Sequence, residues 1–229
     1  MVETETPSPR FIVVSGLIGV GKTTFTTRLA EHLGYTALFE PVESNPYLED
    51  FYRDPETWAY PMQEWLKHRR FAIMQYAFWG LRCGKLNGVV LDRSIHEDTV
   101  FAEINRELGT ISHKNWETYL QGFQDFQAFM PEPDLYVFLD AAPEVCKQRS
   151  DERARPAEAE TGLDGKQEGI PLTYLQRLYD GYQRWLAEIA PRIPTYRVDW
   201  SEFGPIEAAW AEIQRTAEVR SRFTRGLVL

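Results

Sequence analysis

The chain has 229 residues, enough for one full-sized domain with a proper core or two small ones, and its 43% hydrophobic and 26% charged residues are ordinary for a soluble globular protein. A net charge of −9 repels nucleic acid and anionic membrane, which argues against a long phosphate-tracking groove but leaves room for a local basic pocket that takes a small anion. No apolar stretch approaches the ~20 residues that cross a bilayer, and Cys83 and Cys146 show neither metal spacing nor a disulfide framework.

Residues 1–10, MVETETPSPR, lack the basic and apolar regions of a secretory signal and read as a short disordered tail. A cytoplasmic protein with buried, reduced thiols is expected. FIVVSG (11–16) reads as a buried strand running into glycine, and helix 22–33 follows with Phe25, Leu29 and Leu33 on one face. TALFE (36–40) is a second strand. It ends on Glu40, after which Pro41 fixes the departure angle of the chain and NPYLEDFY begins an aromatic, acidic helix start. GVVLD (88–92), LYVFLD (135–140) and TYRVD (195–199) are further strands. Helices are expected near 57–86, 95–107, 113–130, 143–154, 171–190 and 205–222. The segment 154–168, rich in Ala, Glu and Gly, reads as a mobile surface loop.

Strand–helix alternation with β-branched and aromatic strands implies a single α/β domain: a parallel five-stranded sheet with helices on both faces. Ligands of such sheets gather at the carboxyl ends of the strands, where Gly16, Glu40 and Asp92 all fall. Residues 16–23, GLIGVGKT, match the phosphate-loop pattern G-x-x-x-x-G-K-[ST] between a strand and a helix. Gly16, Gly19 and Gly21 let the backbone around Val20 turn its N–H groups toward phosphate, and the helix dipole adds to this at Lys22, Thr23 and Thr24. Lys22 supplies a point charge to the β/γ-phosphates; Thr23 offers a hydroxyl to Mg²⁺. ATP and Mg²⁺ are therefore the expected cofactors, within a sheet of the P-loop NTPase type.

Asp92 ends a strand beside this loop and can hold magnesium directly or through water. Arg93 reads as a cation aimed at substrate or phosphate. Arg149, Arg153 and Arg155 sit where a helix runs into the 154–168 loop; a solvated helix end is one reading, and a mobile lid over about 146–169 that stabilises a transferring phosphoryl group is the other. Glu40, at a strand end on the same edge, is placed to receive a proton from a hydroxyl acceptor. The stripe Trp116, Tyr119, Leu120, Phe123, Phe126 and Met130 reads as core or subunit interface.

EPV (40–42), FYRDPETWAYPMQ (51–63), DRS (92–94), the three lid arginines and GIPLTYLQRLYDGYQRWL (169–186) together resemble the deoxyribonucleoside kinase family; NPYLEDFY and DRSIHED resemble its bacterial deoxyadenosine/deoxyguanosine kinase branch. The resemblance runs over residues 11–203 with the motifs in order. It implies phosphorylation of the 5′-hydroxyl of a deoxyribonucleoside by ATP, purines favoured and deoxycytidine accepted, by a homodimer joined through a helix bundle. It implies that Glu40 takes the 5′-OH proton, that Arg93 holds Glu40, that Tyr52 bonds the 3′-OH, and that Gln63 reads the base edge. Arg70 and Asp98 fall where an Arg/Asp pair flanks the base, Phe101 where a ring stacks on it, and Glu158 or Glu168 where a lid acid reaches the sugar. The amide of Gln63 suits adenine or cytosine, and Arg70 suits a purine N7 or guanine O6. Asn45 stands where many family members carry tryptophan, as in the bacterial branch. Two other readings share parts of the pattern. A thymidylate-type monophosphate kinase should add basic residues for the substrate's phosphate, and a non-catalytic nucleotide-binding subunit would be free to lose Lys22, Glu40 or Arg93.

Overall fold

A computed structural model describes residues 10–40, 42–153, 160–161 and 167–216. The FIVVSG run forms β1 (Phe11–Gly16), and α1 (Lys22–Leu33) follows the glycine-rich loop until Gly34, in a left-handed conformation, closes it. Next come β2 (Thr36–Leu38), a 3₁₀ turn at Val42–Ser44, α2 (Leu48–Arg53) and α3 (Pro55–Arg82). The second half holds β3 (Val89–Asp92), α4 (Asp98–Glu107), α5 (His113–Gln127), β4 (Leu135–Asp140) and α6 (Pro143–Arg153). A two-residue pair, β5 (Glu160–Thr161) and β6 (Gln167–Glu168), precedes α7 (Leu172–Ile189), β7 (Thr195–Asp199) and α8 (Ile206–Thr216).

The five long strands form one parallel sheet in the order β2-β3-β1-β4-β7. Residues 11–14 of β1, at its centre, are wholly buried; each such side chain contributes about 1.5–3 kcal/mol relative to exposure. The register sets Val14 beside Asp92 and Gly16 beside Leu139, so the strands' carboxyl ends meet on one edge. Helix α1 packs against β1, β2, β3 and α8; α4 packs against α3, α5 and α7. Among the described residues no helix is long and apolar enough to cross a membrane.

Several boundaries differ from the sequence reading. The second strand stops at Leu38, so Glu40 lies beyond it, and both edge strands are only partly buried because one side of each is unpaired. Helix α3 starts two residues earlier than its pattern suggests: Pro55 stands at the first position and Asp54 caps it by accepting the Thr57 N–H at 3.3 Å. It ends at Arg82, before Gly84 at φ +69°. The expected helix at 95–107 opens as a 3₁₀ turn at Ile95–Glu97, and the one at 113–130 closes at Gln127. Arg10, counted with the tail, is anchored: its N–H donates to Asp134 at 2.7 Å and its guanidinium to the Asn87 and Leu86 carbonyls at 2.6 and 2.9 Å. Cys146 is buried as expected but Cys83 is exposed, and both are free thiols. The aromatic stripe of α5 is core: Trp116, Tyr119 and Phe123 are buried, and Phe126 stacks on Phe71 of α3.

Candidate active site

The loop after β1 owes its shape to its glycines. Gly19, at φ +84°, lies so close to α6 that a Cβ would stand 2.2 Å from the Cys146 carbonyl oxygen. Gly21 caps α1 at φ +103° with no side-chain hydrogen bond to the first-turn N–H groups, leaving those donors for a ligand. Lys22 is buried, and its ammonium donates to the Leu17 and Gly16 carbonyls at 2.7 and 3.2 Å. Burial, and secondarily Arg93, push its pKa down to about 8 against the pull of Asp92, Glu97 and Glu40.

Thr23 donates to Asp92 Oδ2 at 2.8 Å, while Asp92 Oδ1 is buried with no hydrogen-bond partner. Burial raises the Asp92 pKa despite nearby Lys22 and Arg93. A hydroxyl and one carboxylate with a spare oxygen form a hard donor set, too small to enclose a cation yet suited to Mg²⁺ that keeps waters and takes phosphate oxygens. No group of three or more His, Cys, Asp or Glu that could hold a metal occurs among the described residues.

Glu40 is gripped by two arginines. Arg70 of α3 pairs with its Oε1, and Arg93 Nε lies 3.0 Å from Oε2. Burial alone would raise the Glu40 pKa; Arg70 and then Arg93, with Lys22 behind them, overcome it and hold the carboxyl below its usual range. Arg93 is the one non-glycine residue with positive φ among those described, at +66°. Its guanidinium also contacts Glu97 at 3.3 Å and the Tyr182 hydroxyl, and lies 4.7 Å from the Phe101 ring centre. Burial disfavours its charge, but Tyr182 and the carboxylates of Glu40, Glu97 and Asp92 raise its pKa overall.

These groups face a cavity of about 810 Å³. It is lined by Gly19, Gly21, Lys22, Thr23, Thr24, Glu40, Tyr52, Gln63, Arg70, Asp92, Arg93, Phe101, Arg149 and Arg153, so most of the residues singled out in the sequence converge there. Gln63 and Arg70, two helical turns apart on α3, are 1% and 3% exposed, which makes them a buried polar wall rather than a solvated face. Gln63 Oε1 and Asn45 Nδ2 are buried without a hydrogen-bond partner, although both residues line the cavity.

Other expected residues sit differently. Gly16 and Val20 shape the loop from behind and do not line the cavity. Asp98 is wholly buried behind Arg70, paired with it and with the Tyr119 hydroxyl, so it orients Arg70 instead of facing the cavity. Arg93 is turned to Glu40 and Glu97 rather than standing free for a ligand. Arg149 donates to the carbonyls of Val20, Trp200 and Ser201 at 3.1, 2.9 and 2.8 Å, bracing the phosphate loop against the segment after β7. Arg155 and Glu158 lie outside the described residues; for Glu168 only the backbone of β6 is described. Three residues of this region went unassigned in the sequence. Phe203, 60% exposed, lines the cavity with the Arg149 guanidinium 4.1 Å from its ring centre, and no local pattern marks it. Glu97 does carry a signal, the capping-box spacing after Ser94, whereas Tyr182 carries none beyond its place on an apolar helix face.

The sequence model of the deoxynucleoside kinase family matches residues 12–220. The chain is 39% identical over 192 residues to deoxyadenosine kinase of Dictyostelium discoideum, covering 84% of this chain and 73% of the relative. It is 33% identical over 190 residues to deoxyadenosine/deoxycytidine kinase of Bacillus subtilis (strain 168), covering 82% of this chain and 81% of the relative. The fold is shared with deoxyadenosine kinase from M. mycoides with bound dCTP: TM-score 0.75, 23% identity, 89% of this chain and 98% of that one.

Proposed function

The chain belongs to the deoxynucleoside kinase family and is an ATP-dependent phosphotransferase acting on deoxyribonucleosides; we propose that deoxyadenosine is its preferred acceptor, ahead of deoxyguanosine and deoxycytidine. The observation that carries the base preference is the partnerless Gln63 Oε1, buried in the cavity wall. An orphaned acceptor of this kind gains most from a base that offers an exocyclic amine. The amide also presents a donor, so adenine and cytosine match both of its groups. Asn45 lines the same cavity with a buried, partnerless Nδ2, its Oδ1 being fixed by the Tyr47 N–H at 3.0 Å, and in this reading it turns that donor to a ring nitrogen of the purine.

In this reading the nucleoside lies between Gln63, Tyr52 and Phe101, with its 5′-hydroxyl at Glu40. Glu40 is held ionised by Arg70 and Arg93 and receives the hydroxyl proton as the oxygen attacks the γ-phosphorus of ATP; ADP leaves. Such proton acceptance contributes typically ~10²–10⁴ in rate. Lys22 and the N-terminus of α1 hold the phosphates, and Arg153, on the cavity rim, adds positive charge there. Exposed Phe203, with Arg149 against it, offers a flat surface to the ATP base. Thr23 and Asp92 would hold Mg²⁺, which when bound offsets phosphate charge and orients the transferring group.

Two coarser features complete the proposal. Tyr76 and Trp79, 60% and 58% exposed on α3, and the 72%-exposed Phe129, whose carbonyl accepts from Gln75 of α3, leave apolar rings uncovered, which suits a homodimer joined through helices. Two unpaired cysteines fit the reducing cytoplasm. The decisive experiment measures ADP release from ATP with each deoxynucleoside, then with each deoxynucleoside monophosphate. Deoxyadenosine should give the highest kcat/KM; a preference for deoxycytidine or for any monophosphate overturns the reading.

A further inference from the structure

The side chain that grips Glu40 is itself gripped from behind. Arg93 Nη1 donates to the Tyr182 hydroxyl and lies 3.3 Å from Glu97 Oε2, and the Tyr182 hydroxyl donates to the same oxygen at 2.6 Å. The second oxygen, Glu97 Oε1, accepts from Ser15 Oγ at 2.8 Å and from the Ser94 N–H at 3.0 Å. Neither Glu97 nor Tyr182 exposes any surface, and neither lines the cavity. One carboxylate thus ties the end of β1, the turn after β3 and the middle of α7 to a single guanidinium.

We propose that Glu97 and Tyr182 are positioning residues that hold Arg93 by its Nη1, so that its Nε edge faces Glu40. The proposal rests on Glu40 being the proton acceptor. An unrestrained guanidinium can present either its Nη1/Nη2 end or its Nε edge to a carboxylate. Arg70 already occupies Glu40 Oε1. Holding Nη1 on Glu97 and Tyr182 fixes the plane of the guanidinium, and the left-handed backbone of Arg93 sends the side chain between the two carboxylates. Burial keeps the Tyr182 phenol protonated, so it remains a donor to Glu97 while accepting from Arg93.

The test compares unmodified protein with Tyr182→Phe, Glu97→Gln, Arg93→Lys and the double variant Arg93→Lys/Tyr182→Phe, with ATP and deoxyadenosine as substrates. Tyr182→Phe should lower kcat about tenfold with both KM values within about twofold, and Glu97→Gln should lower it further, because only the basicity and orientation of Glu40 change. In the Arg93→Lys background, which lacks the planar fork, Tyr182→Phe should cause no further loss. Unchanged kcat in Tyr182→Phe, a rise in KM in place of a fall in kcat, or a loss that adds to that of Arg93→Lys overturns the proposal. Should Glu97→Gln fail to fold, the Tyr182 pair still decides. Absence of turnover in the unmodified protein overturns both this proposal and the function it rests on; an active parent with a silent Tyr182→Phe overturns this proposal alone.

Discussion

Replacing Glu40 by glutamine keeps the side chain's shape and removes only its charge and proton affinity. The structure shows why the fold should survive. Arg70 retains Asp98, and Arg93 retains Glu97 and Tyr182, so neither guanidinium is left buried without a partner. A stability loss of about 1–3 kcal/mol is expected from the weakened grip. Turnover should fall far more. If Glu40 accepts the 5′-OH proton, losing that step costs ~10²–10⁴ in kcat, or about 3–5 kcal/mol of barrier. Nucleoside affinity should stay within a few fold, because Gln63, Tyr52 and Phe101 are untouched. Single-turnover ADP formation gives the chemical step, and calorimetric titration with deoxyadenosine gives the binding. A variant whose chemical step keeps more than about a fifth of the parent rate would refute Glu40 as the base. Stability offers an independent check. The Glu40 pKa is depressed on folding, so its contribution is present above the unfolded value and lost as pH falls through the folded one. The stability gap between parent and Glu40→Gln should therefore be widest near neutrality and close in acid; a gap that widens as pH falls would contradict the charge arrangement described.

Lys22, with its pKa pushed down to about 8, should be an ammonium below that pH and lose its proton above it, so ATP affinity should weaken by up to ~tenfold per pH unit above 8, and fluorescence or calorimetric titration of Lys22→Met should show weaker binding with a flat alkaline profile. An alkaline decline that persists in Lys22→Met would assign it elsewhere. Gln63→Leu removes the orphaned acceptor and should reduce discrimination among deoxyadenosine, deoxyguanosine and deoxycytidine by ~10² or more in kcat/KM while ATP affinity holds; an unchanged ranking of bases would exclude Gln63 from base reading. Trp79→Glu places a charge on the exposed face of α3 and should convert a dimer to a monomer in sedimentation velocity at micromolar concentration, with little change in thermal midpoint; a monomeric parent, or a dimer indifferent to the change, would put the interface on another face.

Much of this protein was legible in one dimension, because the relevant physics is local. GLIGVGKT between a strand and a helix specifies a phosphate loop by glycine conformation and helix polarity alone. The strand runs specify a buried parallel sheet, whose carboxyl edge brings Asp92 to Thr23. The roles of Gln63 and Arg70 came from the family resemblance, and the structure sets the two residues two turns apart on one buried helix face. Spacing could not determine which way a charged side chain turns once packing encloses it. Arg149 reads as a lid arginine yet is spent on three carbonyls of the loop and the β7 end, and Asp98 reads as a base contact yet stands behind Arg70. Glu97 and Tyr182, 85 residues apart, meet at Arg93 only because α7 packs onto α4, and Phe203 reaches the cavity only because the chain after β7 returns to Gly21. Hydrogen bonds between distant elements select rotamers inside a closed interior, and the three-dimensional packing that brings those elements together appears in no segment of the chain taken alone.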